Sequence, residues 1–240
     1  MAPAVHLSTA VCVTGRFPAL AGVDLAVAQG EVVVLEGPNG AGKTSVLRVC
    51  AGLLPLTGGE GTVLGCDLRH EAPALRRRVG MLGHAAALYD DLTVLENVRF
   101  AVRAAGGSLS KVDAVLDRLE VGGRVGRTPV GRLSAGQRRR VALALLVTRR
   151  PELWLLDEPH AGLDADARAV LGEIVVQVVT EGATVLLASH EPEESWPLAD
   201  RVVSLVGGRV VGERDLSVAA SRSVSTPDTL RSVPGSVHVA

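Results

Sequence analysis

The stretch "GPNGAGKTS", Gly37 to Ser45, decides the fold of this chain of 240 residues. It fits the phosphate-binding loop (P-loop) pattern, in which a glycine is followed at a fixed distance by Gly-Lys-Ser or Gly-Lys-Thr. The apolar run "VVVLE" precedes it and the helix-like "TSVLRVCAGLL" follows it, which is the order of strand, loop and helix that the pattern requires. The sequence therefore predicts a phosphate site at the start of a helix.

The loop supplies the first set of candidate binding residues. Glycines permit backbone conformations that turn successive N–H groups toward an anion. A compact ammonium such as that of Lys43 suits a contact with the β- and γ-phosphates of a nucleotide. The predicted nucleotide-binding residues of the loop are Gly37, Pro38, Asn39, Gly40, Ala41, Gly42, Lys43, Thr44 and Ser45.

A pair of carboxylates follows a second apolar run, "LWLLDE", Leu153 to Glu158. Taken alone, an apolar run that ends in Asp-Glu is an ordinary strand end. With the P-loop upstream, Asp157 is placed to hold Mg²⁺ together with the Thr44 hydroxyl, and Glu158 to polarise an attacking water. The combination indicates Mg²⁺-dependent hydrolysis of a nucleoside triphosphate, with Glu158 as the base.

Apolar runs alternate with helical patterns along the chain, which predicts an α/β fold. Three of the runs are continuously apolar, as in parallel strands covered on both faces. They include "EVVVLE" (31–36), "LWLLDE" (153–158) and "ATVLLASH" (183–190), and "DRVVSLVGGRVV" (200–211) follows them. The segment from about Tyr89 to Arg150 shows only helical spacing, so we expect a helical subdomain inserted over 89–150. One domain is expected over 1–212, followed by a flexible Ser- and Pro-rich extension over 213–240.

Composition argues against a nucleic-acid partner. The aromatic content is 2% and the formal net charge is −1, whereas proteins that bind nucleic acids mainly through phosphates usually carry a basic excess. Cys12, Cys50 and Cys66 match no metal or disulfide pattern and are expected to be free in a reducing compartment. No targeting segment and no membrane-spanning run is evident, so we expect a cytoplasmic chain.

Three further stretches narrow the class. "LSAGQRRRVALA" (133–144), "DEPHAGLDADAR" (157–168) and "LLASHE" (186–191) follow the P-loop in order. Together the four resemble the nucleotide-binding subunits of ABC transporters, from about Leu7 to Gly212. The resemblance implies a P-loop NTPase (RecA-like) core with a mostly parallel sheet, N-terminal antiparallel β elements and an inserted helical subdomain. It implies ATP and Mg²⁺ as ligands and a peripheral location on the cytoplasmic face of the bacterial inner membrane.

The resemblance also implies partners and residue roles. The partners are an integral membrane permease and a second copy of the chain, or a related subunit, in a head-to-tail nucleotide sandwich dimer. Ser134, Gly136 and Gln137 match the signature loop, which binds the nucleotide of the opposite subunit, and Asp164 matches the D-loop aspartate. His190 matches the switch histidine that contacts the γ-phosphate, so Lys43, Glu158 and His190 are the expected catalytic residues. The arginines 138–140 are interpreted as a solvated helix face, and His160 as loop surface.

Two positions depart from the general family pattern. His84 stands where the family usually has the glutamine of the Q-loop. Gly-His before an "LT-LEN" run resembles the ATP-binding subunits of bacterial cytochrome c maturation complexes, described as heme exporters. Neutral imidazole is a poor partner for Mg²⁺, so we expect His84 to sense nucleotide or partner rather than to hold metal. The family generally has an aromatic residue, mostly Tyr, ahead of the P-loop to stack on adenine. In this sequence Thr14 lies near that position, and Phe17 is the only aromatic residue in the region.

The sequence alone leaves three hypotheses about function open. The first is an energy-coupling subunit of an exporter, for heme or for drug- or lipid-type compounds. The second is a soluble ABC-type protein acting on nucleic acid or ribosomes, although such relatives carry tandem ATPase domains or long coiled-coil insertions for which this chain has no room. The third is a binding module in which His84 has removed efficient catalysis.

Overall fold

The computed structural model describes residues 2–83, 88–190 and 196–216. Its strands are β1 (Val5–Thr14), β2 (Phe17–Val27), β3 (Val32–Glu36), β4 (Gly58–Val63), β5 (Cys66–Asp67), β6 (Val79–Leu82), β7 (Leu153–Asp157), β8 (Thr184–Ala188), β9 (Arg201–Val206) and β10 (Arg209–Asp215). Its helices are α1 (Lys43–Cys50), α2 (Val94–Ala104), α3 (Val112–Arg118), α4 (Gly123–Gly126), α5 (Ala135–Arg149) and α6 (Ala165–Thr180).

The strands form two sheets. A sheet of six strands has the order β10-β9-β3-β8-β7-β6, and all its neighbours are parallel except β10, which pairs with β9 in an antiparallel hairpin. A sheet of four strands, β2-β1-β4-β5, is antiparallel. The predicted α/β fold with a mostly parallel sheet and N-terminal antiparallel strands is confirmed.

The central strands β3, β7 and β8 bury side chains on both faces of the sheet, since successive side chains of a strand point to opposite faces. In β7 all five residues are buried. Trp154 and Leu156 join a core shared with α2, α3, α5 and α6, whereas Leu153 and Leu155 join a second core shared with α1 and the antiparallel sheet. The central strands therefore read as continuous apolar runs, and each one contributes to two cores.

Between residues 88 and 150 the described chain is helical, apart from an isolated bridge between Thr93 and Pro129. Local capping explains where two of these helices begin. The Thr93 hydroxyl accepts from the backbone N–H of Glu96, whose carboxylate accepts from the Thr93 N–H, and Ser134 and Gln137 form the same reciprocal pair at the start of α5. Such capping boxes satisfy N–H groups that have no partner within the helix.

The structure adds details that the pattern did not show. β6, a four-residue parallel strand next to β7, escaped the sequence analysis because its run is short and contains Gly80. The apolar run 200–211 is a hairpin, β9 and β10, that turns at Gly207 and Gly208 and continues to Asp215.

Residues 217–240, most of the predicted extension, lie outside the described residues. Within the described ranges, no helix has the length and apolar character needed to cross a bilayer.

The packing of β6 against its neighbours generates the first prediction. A Cβ at Gly80 would lie 2.6 Å from atoms of both Leu146 and Pro151, whereas a Cβ at Gly212, also in a strand, would meet nothing within 4 Å. We expect Gly80→Ala to lower the free energy of unfolding by about 1–3 kcal/mol, the usual cost of overpacking, and Gly212→Ala to change it by less than about 0.5 kcal/mol. Urea unfolding of both variants measures this, and equal effects would contradict the packing of β6.

Candidate functional site

The P-loop follows β3 and holds two glycines in close contact with neighbouring backbone. Gly37 has a φ of 137° and Gly42 a φ of 106°, values that side-chain-bearing residues rarely adopt. A Cβ would lie 2.2 Å from the Leu205 carbonyl oxygen at Gly37 and 2.8 Å from the Ala19 carbonyl oxygen at Gly42. The backbone of β9 therefore lies against Gly37 and the backbone of β2 against Gly42, so only glycine fits at both positions.

Lys43 is the first residue of α1 and is 7% exposed. Its Nζ donates to the carbonyl oxygens of Gly37 at 2.7 Å and Pro38 at 3.2 Å. The ammonium is thus held inside the loop by loop carbonyls, beside the N-terminus of α1. A third donor direction on Nζ leaves the group able to contact an anion in the loop.

Thr44 and Asp157 join the start of α1 to the end of β7. The Thr44 hydroxyl lies 3.0 Å from both carboxylate oxygens of Asp157, and Asp157 is 5% exposed. A hydroxyl and a carboxylate oxygen at the mouth of a phosphate loop are the ligand types that Mg²⁺ prefers, with its remaining positions taken by phosphate and water. The residues present therefore fit a Mg²⁺ ion, and the prediction for Thr44 and Asp157 is consistent with their geometry.

Glu158 and His190 form the next contact along the same edge. Nδ1 of His190 lies 2.7 Å from Oε2 of Glu158, and the His190 N–H donates to the same oxygen at 3.3 Å. Because an ionised carboxylate only accepts, Nδ1 carries the proton in this contact. Glu158 has a φ of 48°, a conformation that is uncommon for a residue with a side chain and that concentrates at functional sites.

Ser134 caps α5 and is exposed. Its hydroxyl accepts from the Gln137 N–H at 3.2 Å, and Oε1 of Gln137 accepts from the Ser134 N–H at 3.1 Å. The N–H groups of Ala135 and Gly136 precede the first donor of the helix ladder and point out of its end. In the described part of the chain, no hydrogen bond joins residues 134–137 to the P-loop.

Asp164 lies at the start of α6, where its side chain accepts from the Ala167 N–H at 2.9 Å. Its other oxygen pairs with Arg140 at 2.7 Å. The backbone hydrogen bond from Ala167, with the Arg140 charge as a further cause, holds the pKa of the Asp164 carboxyl below its ordinary value. The two contacts join the start of α6 to α5.

Two interpretations from the sequence are wrong. Arg138 pairs with Asp90 on the surface and Arg140 with Glu120 and Asp164, but Arg139 is buried, at 9% exposed, among backbone carbonyls of the site. Adjacent helical positions point about 100° apart, so three consecutive arginines cannot share one exposed face. His160 is also buried, at 9% exposed, rather than on the loop surface.

Asn97 is a positioning residue that the sequence analysis did not single out. It is 3% exposed, donates to the carbonyl oxygens of Tyr89, Leu92 and Thr93, and accepts from the Tyr89 N–H at 2.8 Å. These four bonds shape the segment that leads into α2. The only signal in the sequence was its place at the end of the "LT-LEN" run.

The two departures from the family pattern have different outcomes. His84 lies outside the described residues. Thr14 and Phe17 pair across the β1–β2 turn, and Phe17 is 78% exposed. Ala19, two residues further along β2, has its carbonyl oxygen beside Gly42 of the P-loop.

Comparison with known proteins identifies the family of the chain. A family model described as "ABC transporter" matches residues 20–161. The chain is 36% identical over 94% of its length to the sulfoquinovosyl glycerol transport ATP-binding protein SmoE of Agrobacterium fabrum, covering 61% of that protein. It is 41% identical over 83% of its length to the daunorubicin resistance ATP-binding protein DrrA3 of Streptomyces coeruleorubidus, covering 64%. It is 40% identical over 70% of its length to the cytochrome c biogenesis ATP-binding export protein CcmA of Paraburkholderia xenovorans, covering 82%.

Solved structures give the same fold. The ATP-binding subunit of an ABC transporter superposes with a TM-score of 0.80 at 28% identity, over 89% of this chain and 90% of that one. The dimeric structure of a bacterial ABC transporter cassette superposes with a TM-score of 0.81 at 25% identity, over 88% and 98%. The chain spans only 61%, 65% and 64% of the length of the first three curated relatives.

Proposed function

The chain belongs to the ABC transporter family, and from this premise we propose that it binds and hydrolyses ATP to energise a separate membrane permease that works as an exporter. The observation that carries the proposal is the joining of three motifs at one edge of the sheet. Thr44 of the P-loop contacts Asp157, and the adjacent Glu158 contacts His190.

The P-loop residues 37–45 bind the phosphates of ATP in this proposal. Their backbone N–H groups and the N-terminus of α1 provide a positive environment, and the buried Lys43 contacts the β- and γ-phosphates. Thr44 and Asp157 would hold Mg²⁺, which when bound neutralises charge on the phosphate oxygens. The exposed Phe17 of β2 is proposed to stack on the base.

Glu158 accepts a proton from the attacking water, in line with the γ-phosphate. Its carboxylate is oriented by Nδ1 of His190 and by its backbone, whose N–H donates to the Ala188 carbonyl oxygen at 2.9 Å. The His190 ring, held beside this carboxylate, is the group that contacts the γ-phosphate in this proposal.

A second copy completes the site. Ser134, Gly136 and Gln137 sit at an exposed helix start with no hydrogen bond to the P-loop of their own chain among the described residues, so they serve the nucleotide of the opposite copy. Asp164 lies close to this surface through Arg140 of the same helix α5. The similarity to a dimeric cassette supports the arrangement.

The role of Glu158 gives the central prediction. We expect Glu158→Gln to bind ATP and to dimerise with it, while its turnover falls by about 10²–10⁴-fold, the usual contribution of a general base. ATPase rates, nucleotide affinity and light scattering with and without ATP measure the three properties.

A matched control lies at the other end of the same strand. Glu152 precedes β7 and pairs with Arg78 at 2.7 Å on the surface, so Glu152→Gln makes the same chemical change away from the site. It is expected to hydrolyse ATP at the rate of the unaltered chain. Normal turnover by Glu158→Gln would refute its assignment as the base.

A groove of about 390 Å³ beside α2 is proposed to receive a cytoplasmic helix of the permease. It is lined by Arg76, Arg77, Tyr89, Asn97, Phe100 and Arg149, among others. The Tyr89 and Phe100 rings meet edge to face, 5.5 Å apart, and remain 57% and 52% exposed. An exposed aromatic pair edged by arginines favours an amphipathic helix that carries carboxylates.

Replacement of Phe100 tests this groove. We expect Phe100→Asp to abolish copurification with the permease while the isolated variant still folds and binds ATP, because the ring packs on no buried core. Leu53→Asp is the matched control, since Leu53 is 65% exposed and does not line the groove. If both variants copurified equally with the permease, the groove would not be the docking surface.

We propose heme as the exported compound. The Gly83-His84 pair before "LTVLEN" and the similarity to CcmA support this, whereas relatives named for sugar transport and daunorubicin resistance have similar identity. The ATPase activity of the assembled complex should therefore rise on addition of heme and stay constant with daunorubicin. Stimulation by daunorubicin alone would favour a general drug exporter, and stimulation by sulfoquinovosyl glycerol an importer.

A further inference from the structure

Arg139 is a buried cation for which the proposed chemistry has no use. It lies in α5 one turn after the Ser134 cap and is 9% exposed. Its neighbours Arg138 and Arg140 pair with carboxylates near the surface. Arg139 instead turns inward, toward the edge of the sheet where Asp157 and Glu158 lie.

Its guanidinium donates to carbonyl oxygens of three residues in two segments. Nη2 donates to the Asp157 oxygen at 2.8 Å and the Glu158 oxygen at 2.7 Å, and Nη1 donates to the Gly83 oxygen at 2.5 Å. Gly83 directly follows β6, and the other two residues lie at the end of β7. The planar guanidinium of Arg139 therefore hydrogen-bonds to the ends of the adjacent strands β6 and β7 and joins both to α5.

A residue that only filled space at this buried position would be expected to be apolar. Burial lowers the pKa of Arg139, and the charges of Asp157 and Glu158 oppose that shift only in part. Among the described residues, Nε of Arg139 is the buried side-chain nitrogen or oxygen without a hydrogen-bond partner. A buried charge and a buried donor without a partner both cost free energy, and native structures typically keep such groups where they serve function.

The backbone that Arg139 holds is the strained part of the site. Glu158 has a φ of 48°, and the Arg139 bond to its carbonyl fixes the peptide that follows it. The direction of the Glu158 carboxylate depends on this backbone. On the other side, Gly83 begins the segment that leads through His84 to Tyr89 and the groove.

We propose that Arg139 is a positioning residue that holds the Glu158 turn in its catalytic orientation and joins it to the Gly83 segment and to helix α5. The inference rests on the proposed ATPase function, because Glu158 is its base. A shift of Gly83 or of α5 is transmitted through the Arg139 guanidinium to the position of the Glu158 carboxylate. Arg139 touches no nucleotide in this role and contributes no proton.

Chemical rescue tests the proposal. Arg139→Ala removes the guanidinium and leaves the three carbonyl oxygens without their donor. We expect its kcat for ATP to fall by about 10–100-fold with KM nearly unchanged, since a small misplacement of a catalytic group costs rates of this order. Methylguanidinium, added well below denaturing concentrations, should restore part of kcat, whereas methylammonium, a cation without the planar guanidinium, should not. Arg139→Lys should likewise remain slow.

The control variant is Arg118→Ala. Arg118 of α3 donates to the side chains of Gln177 and Glu173 on α6. Arg118→Ala therefore also removes an arginine that joins two elements, but one that does not contact the site. A kcat for Arg139→Ala equal to that of Arg118→Ala, or equal rescue by methylguanidinium and methylammonium, would overturn the proposal. If Arg139→Ala does not fold, Arg139→Gln, which keeps two amide donors, replaces it in the comparison.

A readout without nucleotide separates this inference from the proposed function. Hydrogen exchange in peptides that contain Gly83 and Glu158 should rise together in Arg139→Ala and fall again with methylguanidinium. Absent turnover in the unaltered chain would refute the ATPase proposal while this exchange pattern still showed Arg139 holding both segments. Unchanged exchange at either segment would refute the role of Arg139 even in an active ATPase.

Discussion

The candidate site depends on one constraint, the parallel alignment of β3, β6, β7 and β8. Parallel strands in register end at the same edge of a sheet, and in open α/β sheets ligands bind at that edge. Gly37 follows β3, Gly83 follows β6, Asp157 ends β7 and Ser189 follows β8. Groups more than a hundred residues apart in sequence, such as Thr44 and Asp157, can therefore form a direct hydrogen bond.

Burial at this edge makes the polar contacts strong and also costly to leave incomplete. Lys43, Asp157 and Arg139 are each at least nine-tenths buried. Lys43 and Arg139 are stabilised mainly by backbone carbonyls, so their charges are not cancelled by direct pairing with carboxylates. In a medium of low dielectric constant the Lys43 charge acts on an anion in the loop more strongly than it would in water. The site is thus prepared for phosphate before any phosphate binds.

Most of the site could be predicted from the sequence because its motifs are local. The P-loop, the Asp157-Glu158 pair and the Ser134 cap each occupy a few consecutive residues, and short-range spacing specifies the turn, strand end or helix start that they form. The residues that were misread depend on tertiary packing. Nothing in "RRR" indicates which arginine turns inward, because the direction depends on where α5 crosses the sheet.

β6 and His160 illustrate the same limit. A four-residue strand with a central glycine has too few positions to show a period, and only its pairing with β7 identifies it. His160 is buried in the turn after β7, and the same turn comes close to the start of α5, because a Cβ at Gly136 would lie 3.1 Å from the Gly162 carbonyl oxygen. Such approaches between distant segments have no signature in one sequence.

The capping box at Ser134 has a consequence for how this surface can change during evolution. A hydroxyl has lone pairs that accept and one hydrogen that donates. The cap uses a lone pair, for the Gln137 N–H, and leaves the O–H free to meet an anion, already oriented by the helix. Threonine retains both capacities, whereas aspartate would start the helix equally well and yet repel a phosphate. Helix initiation alone therefore does not restrict this position to a hydroxyl, whereas the anion contact that we propose for it would.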